Sequence, residues 1–131
     1  MWRPAAAALL ALSLAGCGWL TDPDPVLGHV TDVTAPDTVT AGQLFTVTVT
    51  TTGPDGCWRK ASTEVEIDGL SAVIRPYDVD EAEATPGIAC TQAIVHLEHE
   101  AELRFDSTGT AGIEVRGRDG SDRRLDVVVE P

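Results

Sequence analysis

From residue 29 onward the chain alternates. Apolar and polar residues exchange places every second position, which is the period of a strand with one face buried. The clearest case is "QLFTVTVTTT" (43–52), where Phe45, Val47 and Val49 face one side and Leu44, Thr46, Thr48 and Thr50 the other. Threonine suits a half-exposed pleat because its branched Cβ packs well there. "HVTDV" (29–33) predicts a short first strand closed by Pro36, and "STEVEIDG" (62–69) a strand with Val65 and Ile67 inward and Glu64, Glu66 and Asp68 outward. "AVIRPYDV" (72–79) follows the turn "DGLS", and its Pro76, which cannot donate to a ladder, predicts an edge strand or a strand end. "AIVHLEHEAELRF" (93–105) is long for one strand, so a break or bulge is expected near His99–Glu100. "TAGIEVRGR" (110–118) and "RLDVVVE" (124–130) flank "DGSD" as a last hairpin. No window shows the 3.6-residue spacing of an amphipathic helix, and "DEAEATPG" (80–87) reads as a loop.

Seven to eight short strands with turn signals between them predict an all-β, mostly antiparallel β-sandwich over residues 26–131. The segments "APDTVTAGQLFTVTV" (35–49) and "DSTGTAGIEV" (106–115) carry a resemblance to the Ig-like domains of bacterial surface and periplasmic proteins. That resemblance implies an Ig-like sandwich. The chain departs from the antibody pattern in two places: Ala111 stands where the corner before the penultimate strand often has tyrosine, and Cys57 and Cys90 do not fall in the second and penultimate strands.

The N-terminus has a different character. "MWRP" holds Arg3, the only charge before Asp22, and "AAAALLALSLAG" is apolar except for Ser13. A helix needs roughly 20 apolar residues to cross a hydrocarbon core of ~30 Å, so this run is too short to span. A positive start, a short apolar run and small residues at its end describe an export signal. The order Leu14-Ala15-Gly16-Cys17 resembles the lipobox of bacterial lipoprotein precursors. The resemblance implies that residues 1–16 are a signal peptide cut before Cys17. It also implies that the Cys17 thiol carries diacylglycerol and that its new amine takes an acyl chain such as palmitate. Two or three chains give stable anchoring where one myristoyl chain holds only marginally. Residues 17–25 then form the lipidated cysteine and a polar, proline-bearing tether. Gly18, rather than aspartate, follows the cysteine, and the resemblance therefore implies the outer membrane in a Gram-negative cell.

Charge and cysteine count add two constraints. The net charge of −12 becomes −13 once Arg3 is removed with the signal, and a chain this acidic is unsuited to nucleic acid. Three cysteines leave at least one without an internal partner. With Cys17 lipidated, Cys57 and Cys90 remain, and in an exported protein such a pair is most simply a disulfide. A redox-active pair would call for C-x-x-C or an activating cation pattern, and neither is present. The bridge would bring "GPDGCWRK" (53–60) and "TPGIACTQ" (85–92) together at one end of the sandwich, with Trp58 either packed in the core or exposed to a ligand.

The candidate chemistry is sparse. His96 and His99 are three apart, which on a strand aims them at opposite faces, so they do not make a zinc pair; His99 falls on the apolar face. Asp78, Asp80, Glu81 and Glu83 could supply some of the six to eight oxygens calcium takes, without the spacing of an EF-hand. A hydrolase would need a polar pocket joining distant Ser, His and Asp residues, since no G-x-S-x-G or phosphate loop occurs. The expectation is a non-catalytic, lipid-anchored envelope module with a protein-interaction or accessory role. Its partners would be membrane lipid through Cys17 and an envelope protein; no catalytic residue, cofactor site or metal ligand is assigned. The alternative is a small-ligand or calcium-binding envelope domain.

Overall fold

A computed structural model describes residues 22–131; the segment 1–16 expected to be a signal peptide, and Cys17, lie outside the described residues. Among the described residues nine strands form: β1 (Val26–Leu27), β2 (His29–Thr34), β3 (Thr38–Thr40), β4 (Phe45–Gly53), β5 (Trp58–Asp68), β6 (Ser71–Asp80), β7 (Val95–Leu103), β8 (Gly109–Val115) and β9 (Arg123–Glu130). One short helix, α1 (Glu81–Ala84), and a single 3-10 turn at Arg118–Gly120 complete the elements. The strands make an all-β sandwich. One sheet has β6 at its centre, with β5 on one edge and β1 and β8 sharing the other, followed by β9 and β3. The second sheet is β2-β4-β7.

The period-two pattern decides what meets between the sheets. Val47 and Val49 of β4, Ala101 and Leu103 of β7, Ile74 of β6, Ile113 and Val115 of β8 and Val127 and Val129 of β9 are all buried. Phe105, buried just past the end of β7, lies 5.8 Å from Phe45, ring centre to ring centre. Ala111 is fully buried at the start of β8, leaving no space for the tyrosine of an antibody-type corner.

Four details differ from the expectation, each for a local reason. Pro76 sits in a central strand, not an edge. The carbonyls of Ile74 and Pro76 face the same side, accepting from the Arg116 and Gly28 amides at 2.9 and 2.8 Å. The amide hydrogen that Pro76 lacks therefore falls in the gap where the neighbour of β6 changes from β8 to β1. β7 runs without a break, paired residue for residue with β4 from Phe45–Leu103 to Gly53–Val95. Its apparent excess length is shed at the ends, which lie outside the ladder. Ile67 is exposed because three strands cannot cover six, and the outer strand β5 is the one left open. Residues 81–84 form a helical turn because Asp80 caps it, its carboxylate accepting from the Ala82 amide at 3.0 Å.

Two of the seven pairings are parallel, β3 with β9 and β6 with β8. In an Ig-like order the strand that crosses from the first sheet lies beside the penultimate strand and runs antiparallel to it. Here the crossing strand β5 takes the outer edge and its hairpin partner β6 lies beside β8, which reverses the direction of that pairing.

The loops collect at two poles. The ends of β4 and β6 and the starts of β2, β5 and β7 lie at one, where Gly53 pairs with Val95 and Trp58 with Asp80; the β8–β9 turn leaves from lower down, since Val115 pairs with both Ile74 and Arg123. The chain reaches Val26 from this pole, since Val26 pairs with Asp78 near the end of β6. Pro131 follows β9 at the opposite pole.

Candidate functional site

Three of the inward-facing positions are polar. Thr51 continues the Val47–Val49 face of β4, Asp78 the Ala72–Ile74–Pro76 face of β6, and His99 the Ala101–Leu103 face of β7. Asp78 is 0 % and His99 1 % exposed. A buried carboxylate needs hydrogen-bond donors, and the strands supply them. The Thr51 hydroxyl donates to Asp78 Oδ2 at 2.6 Å and His99 Nε2 to Asp78 Oδ1 at 2.8 Å. The other imidazole nitrogen, Nδ1, lies 2.7 Å from the hydroxyl of Thr63 on β5.

The acceptor role of Asp78 fixes a hydrogen on Nε2. Nδ1 then accepts from Thr63 when the ring is neutral and donates to it when the ring is protonated. Either state leaves every polar atom of the chain Thr51–Asp78–His99–Thr63 satisfied. The four residues come from β4, β6, β7 and β5, so each of the three bonds crosses between the sheets. The last of them, His99 to Thr63, spans β7 and β5, the outer strands of the two sheets, which have no backbone ladder between them. A cleft of about 450 Å³ opens beside it, lined by residues 60–63 of β5 and 98–100 of β7.

A hydroxyl, an imidazole and a carboxylate in line can activate a nucleophile. In this chain His99 lines the cleft but is 1 % exposed, with both ring nitrogens held by Asp78 and Thr63. What the bonds do directly is tie the two sheets together through side chains. Gly28 is part of the same construction. It links β1 to β2, where the chain changes sheet, and a Cβ there would collide with Asp78 Oδ2 and Thr51. Gly28→Ala is expected to lose about 1–3 kcal/mol by overpacking, measured as a lowered urea midpoint, with the Asp78–Thr51 bond the first to be displaced.

The acidic run is dispersed by the fold. Asp78 is consumed in the network, Asp80 caps α1, and Glu81 pairs with Arg59, leaving Glu83 exposed. These carboxylates do not converge on one point. His96 is exposed on the outer face of β7 and His99 is buried on the inner one, as their spacing on a strand requires. Asp78, expected in the strand 72–79 but weighed as a calcium donor, is the position whose buried role sequence reasoning missed, although the alternation from Ala72 through Ile74 already pointed it inward.

Cys57 and Cys90 are joined, with Cα atoms 5.3 Å apart. The bridge ties the two loops at the N-terminal pole, and a bond from the Gly56 amide to the Thr91 carbonyl at 3.0 Å runs beside it. Asp55 lies next to the sulfurs and accepts from the Cys57 amide at 2.9 Å. Trp58 is half-buried against Gly53, where a Cβ would collide with it, and the Arg118 guanidinium lies 4.7 Å over its ring.

Comparison with known proteins finds no match: no family model, no curated protein and no solved structure matches this chain. The functional reading therefore rests on the chain's own residues.

Proposed function

We propose that this chain is a lipid-anchored, non-catalytic module of a bacterial cell envelope, held at the outer membrane in a Gram-negative cell, where it serves as a protein-interaction or accessory unit. The observation that carries the reading is the cysteine pairing. With Cys57 bonded to Cys90, Cys17 is the one thiol left over, and it stands at the end of "LAGC" after an apolar run. Among the described residues no helix is long and apolar enough to cross a membrane, so attachment through acyl chains at Cys17 needs no spanning helix among them. The fold supplies a compact body stitched by a disulfide and a buried polar network, a durable form for an oxidising compartment.

Mass spectrometry of the mature protein tests this. The expected mass is that of residues 17–131 plus a diacylglyceryl group and an N-acyl chain, in the membrane fraction. Cys17→Ser is expected to accumulate as uncleaved, unlipidated precursor. A wild-type protein with a bare Cys17 would refute the proposal.

A further inference from the structure

The two sheets are unequal, and the shortfall falls on one side. β7 ends the three-stranded sheet with β4 as its partner, and β5 ends the six-stranded sheet with β6 as its partner. Both edges open on the same side of the sandwich, since His99 and Thr63 meet there at 2.7 Å. An edge strand presents a row of free N–H and C=O groups, and natural sheets blunt it with a proline, a bulge, a short length or charged side chains. β5 carries a bulge between Lys60 and Ser62. β7 holds no proline and pairs with β4 over nine successive positions without a shift in register. What guards it is charge of a single sign, which turns away some strands and admits others. The cleft lined by residues 98–100 of β7 and 60–63 of β5 leaves space at the middle of that edge.

What a strand added to β7 would meet defines its chemistry. On the inner side, Val65 and Ile67 of β5 continue the face of Thr63; Val65 is partly buried and Ile67 is 41 % exposed. A fourth strand beside β7 would set apolar side chains against them. A strand beside β5 would instead extend the longer sheet and leave more of its inner surface bare. On the outer side stand Glu98, Glu100 and Glu102, all exposed. Their neighbours on β4 are Thr50, Thr48 and Thr46, and β2, β4 and β7 contain no Lys or Arg. Among the described residues no ion pair engages these three glutamates. Lys60 is the basic residue lining the cleft, and the three carboxylates outnumber it. The row excludes a second copy of this chain: two β7 strands paired antiparallel, inner faces together, bring glutamate opposite glutamate, which is unfavourable. Lys or Arg at those positions of an incoming strand is matched instead.

We infer that the free edge of β7 takes up an extended segment of a partner protein, in which Lys or Arg alternates with apolar residues, as a fourth strand of the smaller sheet. Its basic side chains face Glu98, Glu100 and Glu102, and its apolar ones cover Val65 and Ile67. Main-chain bonds to β7 supply the affinity, and the two alternating faces supply the specificity. The inference deepens the protein-interaction reading proposed above and rests on it; it does not depend on the anchor at Cys17.

The test uses the mature protein in nonionic micelles and a blocked peptide of alternating lysine and valine. On binding, alternate amides within 96–102 are expected to exchange with solvent several-fold more slowly, and the methyl signals of Val65 and Ile67 to shift. Glu98→Lys with Glu100→Lys should weaken binding about tenfold, with the far-ultraviolet circular dichroism unchanged. The same change of charge at Glu64 and Asp68, on the outer face of β5, should weaken it far less. The peptide N-methylated at every residue keeps its charge and loses its donors, so it should not bind. Equal binding by the methylated peptide, equal loss from the two pairs of substitutions, protection on β5 or β2 in place of β7, or no binding at about 1 mM peptide overturns the strand addition. In cells, a photo-crosslinker at Gln43 or Arg118 that captures an envelope protein, while one at Glu100 captures none, overturns this edge and leaves the interaction reading standing. Capture from none of the three positions overturns both.

Discussion

Asp78→Ala is expected to bring the domain close to unfolding. The substitution leaves the Thr51 hydroxyl and His99 Nε2 buried with no acceptor, and breaking a buried pair in this way costs about 3–5 kcal/mol. Domains of this kind have about 5–15 kcal/mol in all. Urea unfolding followed by circular dichroism measures the loss. Thr63→Val, at the partly exposed end of the same chain of bonds, is expected to cost only about 1 kcal/mol. The triple variant Thr51→Val, Asp78→Leu, His99→Leu removes the polar groups together, and is expected to be more stable than Asp78→Ala alone. An Asp78→Ala protein within 1 kcal/mol of wild type would show that the two sheets do not depend on these bonds.

Removing the disulfide has an effect of similar size by a different route. The bridge closes 33 residues of chain, and the chain-entropy model values a loop of that length at about 3.7 kcal/mol. Cys57→Ser with Cys90→Ser is expected to lower stability by that order, read as a shift in urea midpoint. Two phenylalanines and one tyrosine are few to fill a core, so little else is in reserve. Hydrogen exchange should locate the damage, with protection lost first across 85–94. A reduced form as stable as the oxidised one would mean that the Gly56–Thr91 bond and the Trp58 packing hold the pole unaided.

How much of this was legible depended on how local the signal was. β4 could be read almost to the residue, because four successive inward positions, Phe45 to Thr51, repeat at period two. The hairpin of β8 and β9 was marked by "DGSD" between two alternating runs. The placement of β6 beside β8 left no trace, since parallel pairing between distant strands depends on which edge a hairpin presents, and both edges look alike in sequence. Pro76 misled for a related reason. A missing donor excludes a strand from the middle of a sheet only if a partner faces it, and here the partners change at that point.

The candidate site divides in the same way. His99 was placed correctly on the apolar face. Asp78 fell within the expected strand 72–79 but was also grouped with its acidic neighbours as a possible calcium donor, because proximity in sequence was given more weight than the alternation that turned it inward. Thr63 had no local mark at all, as its partner lies 36 positions away on the other sheet.

The opposite placement of Val26 and Glu130 has a mechanical consequence. A pull applied between the two ends of the domain runs lengthwise along β1 and β9. It loads the ladders of β1 with β6, and of β9 with β8 and β3, in shear, so their hydrogen bonds must give way together and cannot be peeled one at a time. Tension along that axis meets the stiffest direction the sandwich offers, whereas force across the open side between β5 and β7 would meet only side chains.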